Sequence, residues 1–435
     1  MTRLRTLVSA TSLWRDRRFV RCWTGVAVSQ IGDRISELAL PLIAVGVLDA
    51  SAAQVAWLTA LVWAPNLFAV FLGAWVDRRR GKRRLMVAAD LIRAGVLLTV
   101  PVAWLWDGLT LAHLYAVALL TGCAGVLFNC AWPTFFAHLV PRSSYIDANS
   151  KLSAARSASL VAGPALGGGL VQALTAPVAV VADALSFLAS AMLLAPAAVD
   201  EPVAEKTPLW RGVKEGLALV VRHPVLRASL GCATTLNFFT FVSSSGLVVV
   251  YADRILELSP GVIGLTLGIG ASGSLVGALI APWLSRRIGV GRGIAIGAVL
   301  FPAPFAGAAL ADGPAWARAG ILGGAYFLVG LGVMLFDVNL NSLQAAVIPD
   351  AVRSRVAGAY STVNYGVRPL GAFAGGVLAE AMGLRATLVT AAVGGVLSLL
   401  WLLPSPIPGI RSLDLVSDDC LDVPRDHLSA LRDQT

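Results

Sequence analysis

Ionisable residues interrupt an apolar run near the start of the chain. Asp33, Arg34 and Glu37 lie within residues 22–46, which are otherwise rich in apolar side chains. Helical residues one turn apart share a face, so the sequence predicts that the carboxyl groups of Asp33 and Glu37 lie side by side. A low dielectric and a neighbouring acid both favour the protonated form of a carboxyl group, which suits this pair to proton coupling. An ion pair with Arg34 that only stabilises the structure is the alternative interpretation.

Other ionisable residues in apolar runs have no partner of opposite charge nearby in sequence, namely Asp183, Asp337 and Arg368. Asp90 and Arg93, three residues apart, are instead interpreted as a self-neutralising pair. Charged groups inside apolar segments are costly, so each one indicates a function. We therefore predict Asp183 and Asp337 as further candidates for proton coupling. The predicted substrate cavity is lined by Asn129, Asn237, Phe241, Asn341 and Arg368.

Several kinds of chemistry do not fit the spacing of the residues. The glycine-rich run 268–273 follows no predicted strand, so it is not a dinucleotide-binding loop. Gly81-Lys82 is followed by Arg83 instead of Ser or Thr, so it is not a phosphate-binding loop, and ATP is not the direct energy source. The four histidines and five cysteines have no metal-ligand spacing. We expect no cofactor and no metal.

The composition of the chain indicates that its apolar segments lie in a membrane and not in water. Of the 435 residues, 57% are hydrophobic and only 14% are charged, whereas soluble domains carry about 25% charged residues. Such a chain cannot cover a water-facing surface, so its solvent is a lipid bilayer. The net charge of +9 does not indicate a nucleic-acid partner, because the arginines form short clusters between apolar runs.

The apolar runs predict an all-α polytopic membrane protein with about twelve spanning helices. The predicted spans are 22–46, 54–75, 85–105, 111–137, 153–174, 177–197, 228–250, 260–284, 294–311, 318–347, 356–381 and 384–404. Lysine and arginine lie mainly in one set of loops: Arg3, Arg5, Arg15, Arg17, Arg18, Arg21, the cluster at 78–84, Arg142, Lys151, Arg286, Arg287, Arg292, Arg353 and Arg355. The opposite loops hold Arg254, Arg318 and Arg385. Because positive loops stay inside, both termini are predicted to be cytoplasmic.

The chain also repeats itself at a constant offset of 208 residues. Pro141, Gly163, Gly167, Gly168 and Leu170 match Pro349, Gly371, Gly375, Gly376 and Leu378, and Arg78, Arg79 and Gly81 match Arg286, Arg287 and Gly289. This predicts two six-helix halves of the kind found in rocker-type secondary transporters, at 1–197 and 228–404. The connection 198–227 is predicted to hold an amphipathic helix on the cytoplasmic membrane surface. The acid-rich tail 405–435 has a composition typical of disorder.

The loop after the second span has a recognisable pattern, made of Gly73, Asp77, Arg78, Gly81, Lys82 and Arg83. It resembles the cytoplasmic signature G-x-x-x-D-R-x-x-G-R/K-R/K of the major facilitator superfamily. Gly73 permits close helix contact, Gly81 permits a tight turn, and Asp77 can face the positive N-terminus of a helix in the other half. The resemblance implies a cytoplasmic gate. A plain basic loop would explain the arginines but not Asp77 or the glycines.

The fifth span contains Gly163, Pro164, Gly167 and Gly168 in the order G-P-x-x-G-G. This resembles the motif of the superfamily's antiporters, the drug-export branch, although small residues four apart are also typical of generic helix packing. Narrower likeness to macrolide-efflux and enterobactin exporters includes Gly32-Asp33 and covers nearly the whole chain except its tail. One departure is that residues 111–137 contain no arginine, whereas drug/proton antiporters usually carry one there. Arg93 or Arg156 is a candidate to replace it.

The resemblance implies alternating-access, proton-coupled export of amphipathic or hydrophobic small molecules such as antibiotics or secreted natural products. It further implies a monomer in the cytoplasmic membrane of a bacterium. Polar residues facing the cavity would instead favour an uptake symporter for a polar metabolite. The aromatic residues favour export: Trp132, Phe238, Phe239, Phe241 and Tyr365. A non-transporting membrane scaffold or sensor, the third alternative, would need neither the gate motif nor buried acids.

Overall fold

The structure is a computed structural model that describes residues 13–79, 81–141, 144–197, 217–243, 245–348 and 353–411. Within these ranges the secondary structure is helical, with no strand, and the predicted all-α class is confirmed. Residues 198–216 of the predicted connection and 412–435 of the predicted tail lie outside the described residues. The domain boundaries and the surface helix therefore stay predictions.

The N-terminal half contains six helical segments, which we number as spans. They are α1 (Arg17–Gly46), α2 (Ala52–Trp63 and Ala69–Asp77, joined by the 3₁₀ turn Ala64–Phe68), α3 (Lys82–Leu105), α4 (Leu111–Leu139), α5 (Tyr145–Ala173) and α6 (Ala176–Leu194). The C-terminal half repeats this arrangement. Its segments are α7 (Pro224–Val242 and Ser245–Arg254), α8 (Pro260–Ile288), α9 (Val290–Leu300 and Pro304–Ala309), α10 (Ala315–Val347), α11 (Arg353–Met382) and α12 (Leu384–Val396 and Leu399–Leu402).

Within the described ranges, eight segments are long and apolar enough to cross a membrane, by length and composition: α3, α4, α6, α7, α8, α9, α10 and α12. The remaining segments, α1, α2, α5 and α11, are those interrupted by polar residues or by the 3₁₀ turn of α2. The Ala52–Phe68 part of α2 is apolar but short, whereas α1, α5 and α11 carry charged residues within their length.

Local sequence explains several helix ends. Ser51 begins α2 with a capping box, in which its hydroxyl accepts from the Gln54 N–H while the Gln54 side chain accepts from the Ser51 N–H. Gly81 begins α3 at φ 83°, a left-handed conformation that only glycine adopts without strain. Its counterpart Gly289, between α8 and α9, has φ 95°. Both glycines matched by the sequence repeat therefore have a positive φ at the loop after the second segment of their half.

The G-P-x-x-G-G motif lies between two helices. Gly163 and Gly167 face α1, where added Cβ atoms would lie 2.8 Å from Arg34 Cγ and 3.1 Å from Ile35 Cα. Gly168 faces α8 in the opposite half, also at backbone contact. Small residues allow this approach of helix backbones.

The matching glycines of the second half make the mirrored contacts. Gly371 and Gly375 face α7, where added Cβ atoms would lie 3.0 Å from Phe241 Cβ and 2.9 Å from Val242 Cα. Gly376 faces α2 of the N-terminal half. In both halves, two glycines of the fifth helix contact the first helix of their own half, and a third contacts the second helix of the other. The two halves are therefore pseudo-symmetric, as the sequence repeat predicts.

Polar contacts join the halves at one end of the bundle, which we call the closed end and define by loops 47–51, 174–175 and 255–259. Arg254 Nη2 donates to the Ala50 carbonyl at 2.8 Å. The Ser51 hydroxyl donates to Glu380 Oε1 at 2.9 Å. Nearby, the Gly261 N–H donates to Gln172 Oε1 at 2.9 Å. Side chains from both halves thus seal this end.

Candidate functional site

A cavity of about 340 Å³ lies among α1, α2, α3, α4 and α6. Its ionisable and amide-bearing wall residues are Asp33, Arg34, Glu37, Asn66, Arg93, Asn129 and Asp183. The fold therefore brings together three of the four acids predicted for proton coupling. Of the residues predicted for the substrate cavity, only Asn129 lies on this wall. We call this space the acidic cavity.

The two acids of α1 have different cationic partners. Glu37 forms an ion pair with Arg34 at 2.6 Å, on one face of α1. Asp33 instead lies 4.0 Å from Arg93 of α3. The ion pair that the alternative interpretation requires is thus present for Glu37, whereas the Asp33 side chain is half exposed and faces a neighbouring helix.

Arg93 interacts electrostatically with Asp90 but forms its salt bridge with a residue of another helix. Its guanidinium lies 4.8 Å from the centre of the Phe187 ring. Gly125 of α4 makes room for it, because a Cβ there would lie 3.3 Å from Arg93 Cζ. Asp90 accepts a hydrogen bond from Ser190 at 2.7 Å. The interpretation of Asp90 and Arg93 as a pair is therefore corrected: in the described residues Arg93 forms its salt bridge with Asp33.

Asp183 lies on the wall of the acidic cavity but is almost fully shielded, with 1% of its surface exposed. The Ser186 hydroxyl donates to its Oδ1 at 3.2 Å. Gly32 of α1 leaves the space that this pair fills, since a Cβ there would lie 2.8 Å from Ser186 Cβ. The Gly32-Asp33 sequence therefore has two roles in packing: one residue admits α6, and the other faces the cavity.

A second group surrounds Arg368 of α11. Its guanidinium lies 4.5 Å from the centre of the Trp63 ring, 4.3 Å from that of Tyr365 and 5.1 Å from that of Phe241. Arg368 Nε donates to Asn237 Oδ1 at 2.9 Å. Trp63 belongs to α2 and also lines the acidic cavity, so this cluster, which we call the aromatic cage, joins the two halves.

The remaining predicted residues lie on α10. Asp337 interacts electrostatically with Arg368 and Arg156. Asn341 lies one turn further along and is exposed. The residues predicted for one substrate cavity therefore occupy separate places: Asn129 on the acidic cavity, Asn237, Phe241 and Arg368 in the aromatic cage, and Asn341 on α10.

Not all the predicted aromatic residues face these spaces. Trp132 stacks on Phe128 with ring centres 6.1 Å apart, inside the N-terminal half. Phe239 packs against Gly394 of α12, and its ring lies 5.2 Å from that of Phe238. Only Phe241 and Tyr365 of the five predicted residues belong to the aromatic cage.

A second cavity of about 240 Å³ lies between the halves, among α1, α5, α7, α8 and α10. Its walls are mainly apolar and include Pro164 of the glycine motif and Tyr326. We call it the apolar cavity. Arg34 and Glu37 line both cavities, so their ion pair forms part of the partition between them.

The loop motif after α2 is partly described. Gly73 lies near Cys130 of α4, where an added Cβ would be 3.7 Å from the sulfur. Lys82 is buried and donates to the Arg79 carbonyl at 2.5 Å, and Arg83 donates to the Ala195 carbonyl at the end of α6. Arg78 is exposed. The Asp77 side chain lies outside the described part, so its predicted gate contact stays a prediction.

Sequence reasoning missed Trp63 and Asn66, which line the acidic cavity on either side of the bend in α2. A signal was available, because Trp63-Ala64-Pro65-Asn66 places a helix-bending proline between an aromatic and an amide residue. Asn364 was missed too. It accepts from Asn237 Nδ2 at 3.0 Å and so holds the amide that receives the Arg368 hydrogen bond.

Known proteins resemble this chain over most of its length. The family model for the Major Facilitator Superfamily matches residues 22–372. The "Multidrug efflux pump Tap" of Mycobacterium tuberculosis is 28% identical over 406 residues, covering 90% of this chain and 94% of that protein. The "Uncharacterized MFS-type transporter YfiS" of Bacillus subtilis is 26% identical over 365 residues, covering 82% and 85%.

Solved structures show the same fold. The nucleoside transporter NupG has a TM-score of 0.72 at 12% identity, covering 89% of this chain and 98% of that one. A bacterial homologue of the iron transporter ferroportin, in its inward-facing state, has a TM-score of 0.63 at 18% identity, covering 89% and 99%. The protein is therefore a polytopic membrane transporter and not an enzyme. The family model and the efflux-pump relatives are consistent with a transporter of the drug-efflux type. The chain belongs to the Major Facilitator Superfamily.

Proposed function

We propose that the chain exports amphipathic or hydrophobic small molecules from a bacterial cell, across the cytoplasmic membrane, in exchange for protons. The observation that carries this proposal is the pairing of two cavities of unlike character. The acidic cavity offers carboxylates, arginines and amides, and the apolar cavity adjoins it across the Arg34–Glu37 pair. A molecule with a polar end and an apolar body matches both. The relatives named as multidrug efflux pumps support the same direction of transport.

Proton coupling is assigned to the acids of the acidic cavity. Asp33 is the primary carrier, because it is half exposed to the cavity and its cation, Arg93, stands at the long distance of 4.0 Å. A proton on Asp33 would release Arg93, and loss of that proton would restore the attraction. Glu37, engaged with Arg34 at 2.6 Å, and the shielded Asp183 are the secondary carriers. Arg93 takes the place of the arginine missing from α4.

We assign the orientation of the protein in the membrane from the uneven distribution of lysine and arginine between the two sets of loops. Both termini are assigned to the cytoplasm, and the closed end, which carries the loops poor in lysine and arginine, faces outward. Asp77 would then act at the opposite, cytoplasmic end, holding it shut by facing a helix N-terminus near Arg355. Such a contact contributes roughly 0.3–2 kcal/mol, enough to change the ratio of conformers several-fold. The protein is proposed to work as a monomer, since each cavity is completed within one chain.

A susceptibility panel tests export. In cells stripped of their major efflux pumps, expression of the chain should raise the inhibitory concentration of a subset of amphipathic compounds and lower their accumulation, because export reduces the internal concentration. Asp77→Asn at matched expression should restore susceptibility in the same cells.

Two results would contradict the proposal. Cells that become more susceptible or accumulate more compound on expression would indicate the uptake alternative, which the amides of the acidic cavity favour. Cells whose response to every compound stays unchanged, with the protein present in the membrane, would indicate a scaffold or sensor.

A further inference from the structure

We propose that Arg368 binds a carboxylate of the transported molecule, so that the substrates are amphipathic organic acids. This inference rests on the proposed transport of amphipathic molecules and names their charged group. It starts from the state of the Arg368 side chain, which is ordered by its neighbours but incompletely bonded.

The guanidinium is held by contacts that leave its outer nitrogens free. Its Cζ atom lies 4.3–5.1 Å from the ring centres of Trp63, Phe241 and Tyr365, and Asn237 accepts a hydrogen bond from its Nε. Ring faces attract a cation without accepting conventional hydrogen bonds. In the described part of the chain, the terminal nitrogens of Arg368 have no hydrogen-bond partner and no carboxylate within 4 Å. These nitrogens form the planar fork that binds a carboxylate through two parallel hydrogen bonds.

The surrounding charges favour an anion at this point. Arg156 is the other cation that acts on Arg368, while Asp337 is the acid whose charge reaches both. Two acids of the acidic cavity have arginine partners of their own, Glu37 with Arg34 and Asp33 with Arg93. Two arginines and one acid leave a net positive charge that an anionic group would neutralise.

The aromatic rings beside Arg368 indicate the chemistry of the part of the ligand that is attached to the carboxylate. Tyr365 and Trp63 are only partly covered, and Trp63 continues into the wall of the acidic cavity. A carboxylate seated on Arg368 would carry its attached group along these ring faces. Aromatic or alicyclic bodies fit such faces best, because flat apolar surfaces stack there. A lysine at this position could supply charge but not the fork.

Binding of matched probes to the purified full-length protein tests the proposal. The probes are 1-naphthoate, its neutral amide 1-naphthamide and the cation 1-naphthylmethylammonium, measured by equilibrium dialysis in detergent with protein-free micelles as the blank. We expect naphthoate to bind at least ~10-fold more tightly than the amide, because charge-assisted hydrogen bonds are roughly twice as strong as neutral ones, and a difference of this size changes an affinity about tenfold. The cation should bind most weakly.

Variants locate the effect. Arg368→Gln should reduce the affinity for naphthoate to that for the amide, and Arg368→Lys should give an intermediate ratio. Arg318→Gln is the control, because it removes the same charge at the closed end, where Arg318 faces Glu257 at 3.5 Å. It should leave the ratio unchanged.

Each outcome decides the matter. Equal affinities of the wild type for naphthoate and the amide would overturn the proposal without any variant. A naphthoate preference that survives Arg368→Gln would overturn it too, and if that variant aggregates, an unchanged preference in Arg368→Lys does the same. The proposed export function can fail independently of this inference. If naphthoate is preferred but the susceptibility panel shows no export, the export function is wrong and this inference stands. If the panel shows export but naphthoate is not preferred, the export function stands and this inference is wrong.

Discussion

Gly168→Ala should lower the transport rate about tenfold, whereas Gly169→Ala, one residue further along, should leave it close to normal. A Cβ at Gly168 would lie 2.8 Å from Gly264 Cα and 3.1 Å from the Gly264 nitrogen, in the opposite half. These are backbone atoms, so the clash cannot be relieved by rotating a side chain. A Cβ at Gly169 would have no atom within 4 Å. The two variants therefore differ only in whether α5 can still touch α8.

The expected penalty follows from overpacking. Inserting a methyl group into a close contact costs typically about 1–3 kcal/mol. Here the cost applies to the state in which α5 and α8 are in contact and not to states in which they separate, so it also shifts the balance between conformers. A shift of 1.4 kcal/mol changes that balance about tenfold. Transport, which needs both conformers, should fall by a comparable factor.

Initial rates of substrate efflux, normalised to protein in the membrane, measure the effect, and the unfolding temperature in detergent reports packing. Gly264→Ala should reproduce the defect from the other side of the contact, because its Cβ would lie 2.8 Å from Gly168 Cα. Equal rates for Gly168→Ala and Gly169→Ala would show that close α5–α8 contact is not needed for transport.

These glycines also illustrate what sequence can predict. A close contact between helix backbones needs residues without a side chain. It is therefore visible in the sequence as glycines at a fixed spacing. The repeat at an offset of 208 residues then indicates that the contact occurs twice. The spans are predictable for a related reason: hydrocarbon forces every backbone group to bond within its own segment, so each apolar run becomes a helix.

The pairing of charges was less predictable, because it depends on which helix faces which. Arg93 is close in sequence to Asp90, but the rotation of α3 turns it towards Asp33 and Phe187. The cage around Arg368 draws on α2, α7 and α11. No periodicity within one segment encodes such a meeting, so the sequence grouped Asn237, Phe241 and Arg368 correctly but missed Trp63 and added Asn129 and Asn341, which lie elsewhere. The complete grouping of residues around Arg93 and Arg368 therefore became evident only in the structure.

Asp33→Asn should abolish the accumulation of substrate against its gradient while leaving substrate binding intact. Inside-out vesicles with an acidic lumen supply the assay, using a compound identified by the susceptibility panel. A gradient of one pH unit supports roughly tenfold accumulation for each exchanged proton, since a tenfold ratio equals about 1.4 kcal/mol. Without a titrating group at position 33 the ratio should fall to about one, although downhill exchange continues.

Glu37→Gln separates coupling from structure. Glu37 is paired with Arg34 at 2.6 Å at the partition between the two cavities. If the pair serves only structure, this variant should lower protein yield or the unfolding temperature, because it removes the negative charge that balances Arg34. If Glu37 also carries a proton, the variant should fold and accumulate less substrate than the wild type.

The comparison among variants decides which acid is coupled. Asn at position 33 keeps the size of the side chain and removes its charge, so normal yield with lost accumulation identifies Asp33 as the carrier. Full accumulation in both single variants would overturn the assignment and move the test to Asp183→Asn and Asp337→Asn. Those acids differ in a useful way: Asp183 is sealed behind Ser186 beside the acidic cavity, whereas Asp337 lies in the charge field of Arg368. A defect confined to Asp337→Asn would place proton and substrate carboxylate at the same arginine, and coupling would then arise from direct competition for its charge.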